Sequence, residues 1–99
     1  MIKIVNVKMS NANVENAGYR DLQDMLNDGW VDTWKLNISR LEEQDRVRVW
    51  NVRDQQFLDA KIKSVCANPP RIILGDDAGI FDMVMDWMAG PQLRKYTEE

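Results

Sequence analysis

At 99 residues, with 44% hydrophobic and 29% charged side chains and a formal charge of −3, the chain is sized for one soluble domain around a single core. It has no histidine and one cysteine, Cys66. That excludes Ser-His-Asp and Cys-His catalysis, imidazole zinc sites and an internal disulfide. A carboxylate site for magnesium or calcium, and catalysis by Asp, Glu, Lys or Tyr, survive the exclusion.

Met1-Ile-Lys-Ile-Val-Asn-Val-Lys8 is too short and too interrupted for a signal peptide or a membrane span, so the chain reads as cytoplasmic, with no membrane partner. Ile2 to Val7 is β-branched on both faces and predicts a buried strand. Ser10 to Asn13 is a loop by composition. From Asn16 to Asp28 the apolar spacing turns helical through Leu22, Met25 and Leu26, and Gly29 is a natural left-handed stop. Trp34, Leu36 and Ile38 alternate with polar residues and predict a half-buried strand. Ser39-Arg-Leu-Glu42 has capping-box spacing, so Arg40 to Gln44 is a helical turn or a tight loop.

Arg46 to Val52 predicts a strand with Val47 and Val49 on one face and Arg46, Arg48 and Trp50 on the other. Asp54-Gln-Gln56 turns the chain without a glycine. Phe57 to Val65 is the next strand, with Leu58, Ala60 and Ile62 inward, and Asn68-Pro69-Pro70 ends it. Arg71 to Leu74 is a short apolar strand closed by Gly75-Asp76-Asp77. Ile80 to Met88 fits two patterns. As a helix it has Asp77 as N-cap and Gly90-Pro91 as stop; as a strand it puts Phe81, Met83, Met85 and Trp87 on one face. Caps and methionine content favour the helix. The whole predicts one α+β domain over residues 1–99. Four or five mostly antiparallel strands form a curved sheet or small barrel, with a helix after the first strand and another at the C-terminus.

Charge is unevenly spread: −2 over residues 1–32, +3 over 33–75 and −4 over 76–99. The basic middle supplies a candidate nucleic-acid surface of Arg46, Arg48, Trp50, Lys61 and Lys63, cations with an aromatic ring among them. Whether the arginine and lysine pairs share a face depends on register, and the favoured reading is an ordinary solvated face paired with Glu42, Glu43, Asp45, Asp54 and Asp59. Trp50 is either the cover of a second core layer or an exposed stacking platform. Trp34 reads as core, and Trp30 as a seal at the end of the first helix. Asp76, Asp77, Asp82 and Asp86 could present carboxylates to a divalent ion, but the spacing matches no calcium loop or magnesium motif. Phe81, Met85 and Met88 form a soft apolar group suited to core packing or to a protein contact. Cys66 reads as a small apolar residue at a strand end.

The run from Asp32-Thr-Trp34, through Asp45-Arg-Val-Arg-Val-Trp50, to Phe57-Leu-Asp-Ala-Lys-Ile62 resembles two groups of small β domains. One is the PUA-like group, the other the Tudor or SH3-like barrels. The PUA-like resemblance implies a barrel that binds nucleic acid or modified bases. Here Gln44 stands where that group often has glycine before Asp-Arg-Val. The residues themselves favour a non-enzymatic module that needs no cofactor and contacts another protein or a second copy of itself. The alternative is a nucleic-acid-binding domain using the basic face, and a carboxylate metal site or enzyme comes third.

Overall fold

The computed structural model describes residues 1–9, 20–33, 36–82 and 94–99. Among them, seven strands form one open mixed sheet, and the helices are two and short. This corrects the expected α+β fold with four or five strands and a small barrel: the sheet does not close.

Strand β1 (Lys3–Lys8) is buried on both faces, as its Ile and Val content requires. Helix α1 (Leu22–Asp28) follows, and β2 (Trp30–Asp32) comes directly after it. Asp21 caps α1: its carboxylate accepts from the Asp24 N–H at 2.8 Å, and Asp24 accepts from the Asp21 N–H at 3.1 Å. Gly29, at φ 77°, ends the helix in the left-handed conformation that glycine enters without strain. This helix begins at Leu22; Asn16, where the helical spacing starts, and the Ser10–Asn13 loop lie outside the described residues.

Helix α2 (Ile38–Glu42) replaces the strand expected through Leu36 and Ile38. The reason is local. The Asn37 side chain accepts from the Arg40 N–H at 3.2 Å and starts a helical turn, outcompeting extended pairing. Leu36 and Leu41 are buried regardless, so the apolar residues satisfy the core from another conformation. Trp34 lies outside the described residues.

Strands β3 (Arg46–Asn51) and β4 (Gln56–Ala67) form the expected hairpin. Its turn is held by Asn51, whose Oδ1 accepts from the Asp54 N–H at 3.0 Å, and Gln55 takes φ 56° where no glycine is available. Strand β5 (Pro70–Leu74) returns along the C-terminal half of β4, and β6 (Gly79–Asp82) pairs with its N-terminal half on the same edge. Strand β7 (Arg94–Glu98) closes the path, giving the order β2-β5-β4-β3-β1-β7.

Two pairings depart from an antiparallel meander. β1 runs parallel to β3, and β6 is a strand where the helical reading had a helix start. Ile80, Phe81 and Asp82 lie opposite Leu58, Phe57 and Gln56 of the neighbouring β4, and that pairing overrides the local helix caps. Met83 to Met88 of the expected C-terminal helix lie outside the described residues.

One face of the sheet carries the main core. Val5, Val7, Val47, Val49, Leu58, Ala60, Ile72 and Leu74 meet Leu22, Met25 and Leu41 from the two helices. Ile4 and Trp50 are also buried but lie outside this cluster, on the opposite face. No described helix is long and apolar enough to cross a membrane.

Candidate functional site

The opposite face is where the sequence places its candidate residues, and register decides what they do there. Arg46 lies opposite Lys61, Arg48 opposite Asp59, and Trp50 opposite Phe57; Phe57 in turn lies opposite Phe81. Side chains of directly opposed residues share a face. Arg46, Arg48, Trp50 and Lys61 therefore stand together, with Asp59 among them. Lys63 sits beyond β3, where β4 shifts register between Ile62 and Ser64, and is exposed.

The arginines are already engaged. Arg46 makes a two-pronged contact with Asp59, both bonds 3.1 Å, and reaches Asp77 at 2.8 Å. Arg48 meets the same Asp59 at 3.3 Å and Glu99 at 2.8 Å. Asp59 thus serves two guanidiniums from a largely buried position. Hydrogen bonding to Asp59 is the main influence raising the affinity of Arg46 for its proton; for Arg48 it is the bond to Glu99. The Lys61 N–H first, and then Arg46, hold the Asp77 carboxyl below the usual carboxylate range; Arg48 does the same for Glu99. Lys61 and Lys63 are exposed.

Trp50 is 4% exposed. Its indole N–H donates to Asn6 Oδ1 at 3.1 Å, and its ring stacks on Phe57 with centroids 4.4 Å apart. It is the cover of a second layer, not a platform open to a base. Asn6, fully buried in the middle of β1, was not singled out by the sequence, although one amide inside an Ile/Val strand was the available signal. Its Nδ2 donates to Thr97 Oγ1 at 2.9 Å and to the Lys95 carbonyl at 3.1 Å, joining β3, β1 and β7.

Trp30 has a different setting. The guanidinium carbons of Arg20 and Arg71 lie 3.5 and 3.8 Å from its ring centre, distances at which two cations take opposite faces. Arg20 also donates to the Trp30 carbonyl at 2.8 Å and to Asp28 at 3.0 Å. Among the described residues, Arg20 Nε and Nη1 are buried without a hydrogen-bond partner, although Asp32 lies 3.6 Å from Nη1. The clamp explains why Trp30 is half-buried at the start of β2: it seals the junction with α1 and leaves no free ring face.

The aromatic row ends in solvent. Phe57 and Phe81 are tilted, with centroids 5.6 Å apart, and Phe81 is 49% exposed. A Cβ on Gly79 would come within 3.2 Å of the Phe81 ring, so that ring lies back over the bare glycine of its own strand. Phe81 is therefore held against the sheet on two sides and open outward. Met85 and Met88, its companions in the sequence reading, lie outside the described residues.

The described aspartates around β6 do not converge. Asp77 is bound to Arg46 and the Lys61 N–H, Asp76 and Asp82 are exposed, and Asp86 lies outside the described residues. Among the described residues, no group of three or more acidic or cysteine side chains is arranged to hold a metal. Cys66 is half-buried and pairs across the sheet with Arg71.

Comparison with protein-family models, curated proteins and solved structures finds no match. The arrangement of side chains is the guide to function.

Proposed function

We propose that the protein is a small non-enzymatic module that acts by contacting another protein, and that Phe81 with the aromatic row behind it makes the contact. The exposure of Phe81 carries this reading. An aromatic ring fixed by Phe57 and Gly79 presents apolar area at little conformational cost, the property that makes aromatic side chains binding anchors. Its place on β6, flanked by exposed Asp82, gives an apolar centre with a polar rim. The setting we take to be the cytoplasm, where a lone thiol stays reduced.

The nucleic-acid alternative draws support only from exposed Lys61 and Lys63. Its arginines are committed to Asp59, Asp77 and Glu99, and its stacking residue is buried.

The test is cross-linking in a native lysate with wild type, Phe81→Arg and Lys63→Glu proteins, each first checked for an unchanged thermal melt. We expect a protein captured by wild type and by Lys63→Glu and lost with Phe81→Arg. Equal capture by wild type and Phe81→Arg would sink the surface. Salt-sensitive capture of nucleic acid that depends on Lys61 and Lys63 would transfer the assignment to the alternative.

A further inference from the structure

The backbone of β4 fixes which way its neighbour β6 turns. The Lys61 N–H donates to Asp77 Oδ1 at 2.9 Å, and the Lys61 carbonyl accepts from the Gly75 N–H at 2.7 Å, so Lys61 faces the edge that β6 occupies. The Ile62 N–H points the other way, to the Asp45 carbonyl at the start of β3. Backbone groups alternate in direction along a strand, so Phe57 and Asp59 also face β6 and exchange bonds with Phe81 and Gly79 opposite them. Ile80 and Asp82 therefore turn their N–H and C=O away from β4. Among the described residues no strand lies beyond β6.

Edge strands ordinarily carry devices that discourage a further strand. At β2 the outward Trp30 carbonyl is taken by the Arg20 guanidinium at 2.8 Å, and β7 carries Arg94-Lys95 and Glu98-Glu99. Strand β6 holds no lysine, arginine or proline, and Phe81 in it is 49% exposed. Its surroundings are acidic. Gly75 to Asp82 contains three aspartates and no basic residue. Arg46 takes Asp77, whereas Asp76 and Asp82 are exposed. Asp82 shares a face with Ile80, the face on which α1 packs, and α1 begins with exposed Asp21 and Asp24. The edge is thus apolar on one face, at Phe81, and acidic on the other. Pairing β6 with a second copy of itself would bring two acidic segments together, so charge favours a different partner.

We propose that the partner is an extended basic segment of another protein, which adds antiparallel to β6 as a further strand. This rests on the reading of Phe81 as the contact and names what meets it. Main-chain bonds to Ile80 and Asp82 supply affinity, and alternate side chains supply selectivity. The partner residue opposite Phe81 lies on the aromatic face and is apolar. The residues on either side of it, opposite Ile80 and Asp82, exchange the backbone bonds. The one opposite Asp82 is lysine or arginine, meeting the carboxylate across the pair. Phe57 and Gly79 already hold the Phe81 ring, so little ordering is needed on this side. A strand this short buries little area, which puts the complex among weak, transient ones.

The test is fluorescence anisotropy at low salt, titrating the full chain into a labelled peptide of alternating lysine and valine. Saturable binding is expected, and replacing the lysines by glutamate should weaken it about tenfold or more. Asp82→Lys, checked for an unchanged melt, should reverse that preference, and Phe81→Arg should lose the peptide. N-methylation of the lysines should block binding, while N-methylation of the valines, whose N–H points away from β6, should not. A wild-type chain that fails to bind at millimolar concentration, or that binds the lysine-methylated peptide equally well, would overturn the inference. So would binding unchanged by both Phe81→Arg and Asp82→Lys, which would place the peptide elsewhere on an acidic surface. Capture in the lysate that depends on Phe81, with no binding of the peptide, would leave the interaction reading standing and this one fallen.

Discussion

Asn6 shows how one polar side chain organises a face of the sheet. Its amide is fully buried and makes three contacts: it accepts from the Trp50 indole and donates to Thr97 and to the Lys95 carbonyl. A buried hydrogen-bonded group contributes modestly while satisfied but leaves a costly deficit when one partner is removed. Asn6→Leu, which takes away the acceptor of the Trp50 N–H, should therefore lower stability by about 2–3 kcal/mol in urea unfolding. Adding Trp50→Phe removes the donor too and should recover part of that loss, so the paired changes are less than additive. Strict additivity would mean that the Trp50–Asn6 bond is energetically idle.

At the scale of elements, α1 is seven residues long, too short to persist by propensity alone. Its ends carry it. Asp21→Ala removes one half of the capping box and is expected to cost about 1 kcal/mol. Gly29→Ala meets no neighbour but must hold φ 77° with a Cβ, for about 1 kcal/mol more. Chemical denaturation of both variants checks the pair. The caps of α1, the β-branched β1 and the alternating β3–β4 hairpin were legible because each is set by residues close together in sequence. The conformation of Leu36 to Ile38 was not, because an N-cap bond from Asn37 and a strand alternation look alike in apolar spacing. β6 was legible only as the less favoured of two patterns: Ile80 to Asp82 is a strand because β4 offers an edge to it, a neighbour that the local helix caps do not announce.

At the scale of the whole molecule, the sequence identified Arg46, Arg48 and Trp50 as sharing a face and Asp59 among the acids that could pair with them, but could not show that Asp59, Asp77 and Glu99 converge there. Those carboxylates arrive from β4, the turn before β6 and the end of the chain. The resulting network ties distant segments together and makes stability depend on acid. Asp77 and Glu99 titrate below their ordinary range in the folded protein. Their contribution is therefore complete above the unfolded carboxylate pKa, near 4, and is lost as pH falls through the lower folded values. Urea midpoints should be level from pH 7 to about pH 5 and decline below about pH 4. Asp77→Asn with Glu99→Gln should flatten that acid limb. An equally steep decline in the double variant would assign it to other carboxylates.

The twelve residues of β4 serve β3 on one edge and both β5 and β6 on the other. With that single strand as common member, the two ends of the sheet have no separate seam along which to open. Breathing motions at β2 or β7 are therefore confined to fraying at the rim. Deuterium reaches the central amides of β4 only when the entire domain lets go at once, as one cooperative unit.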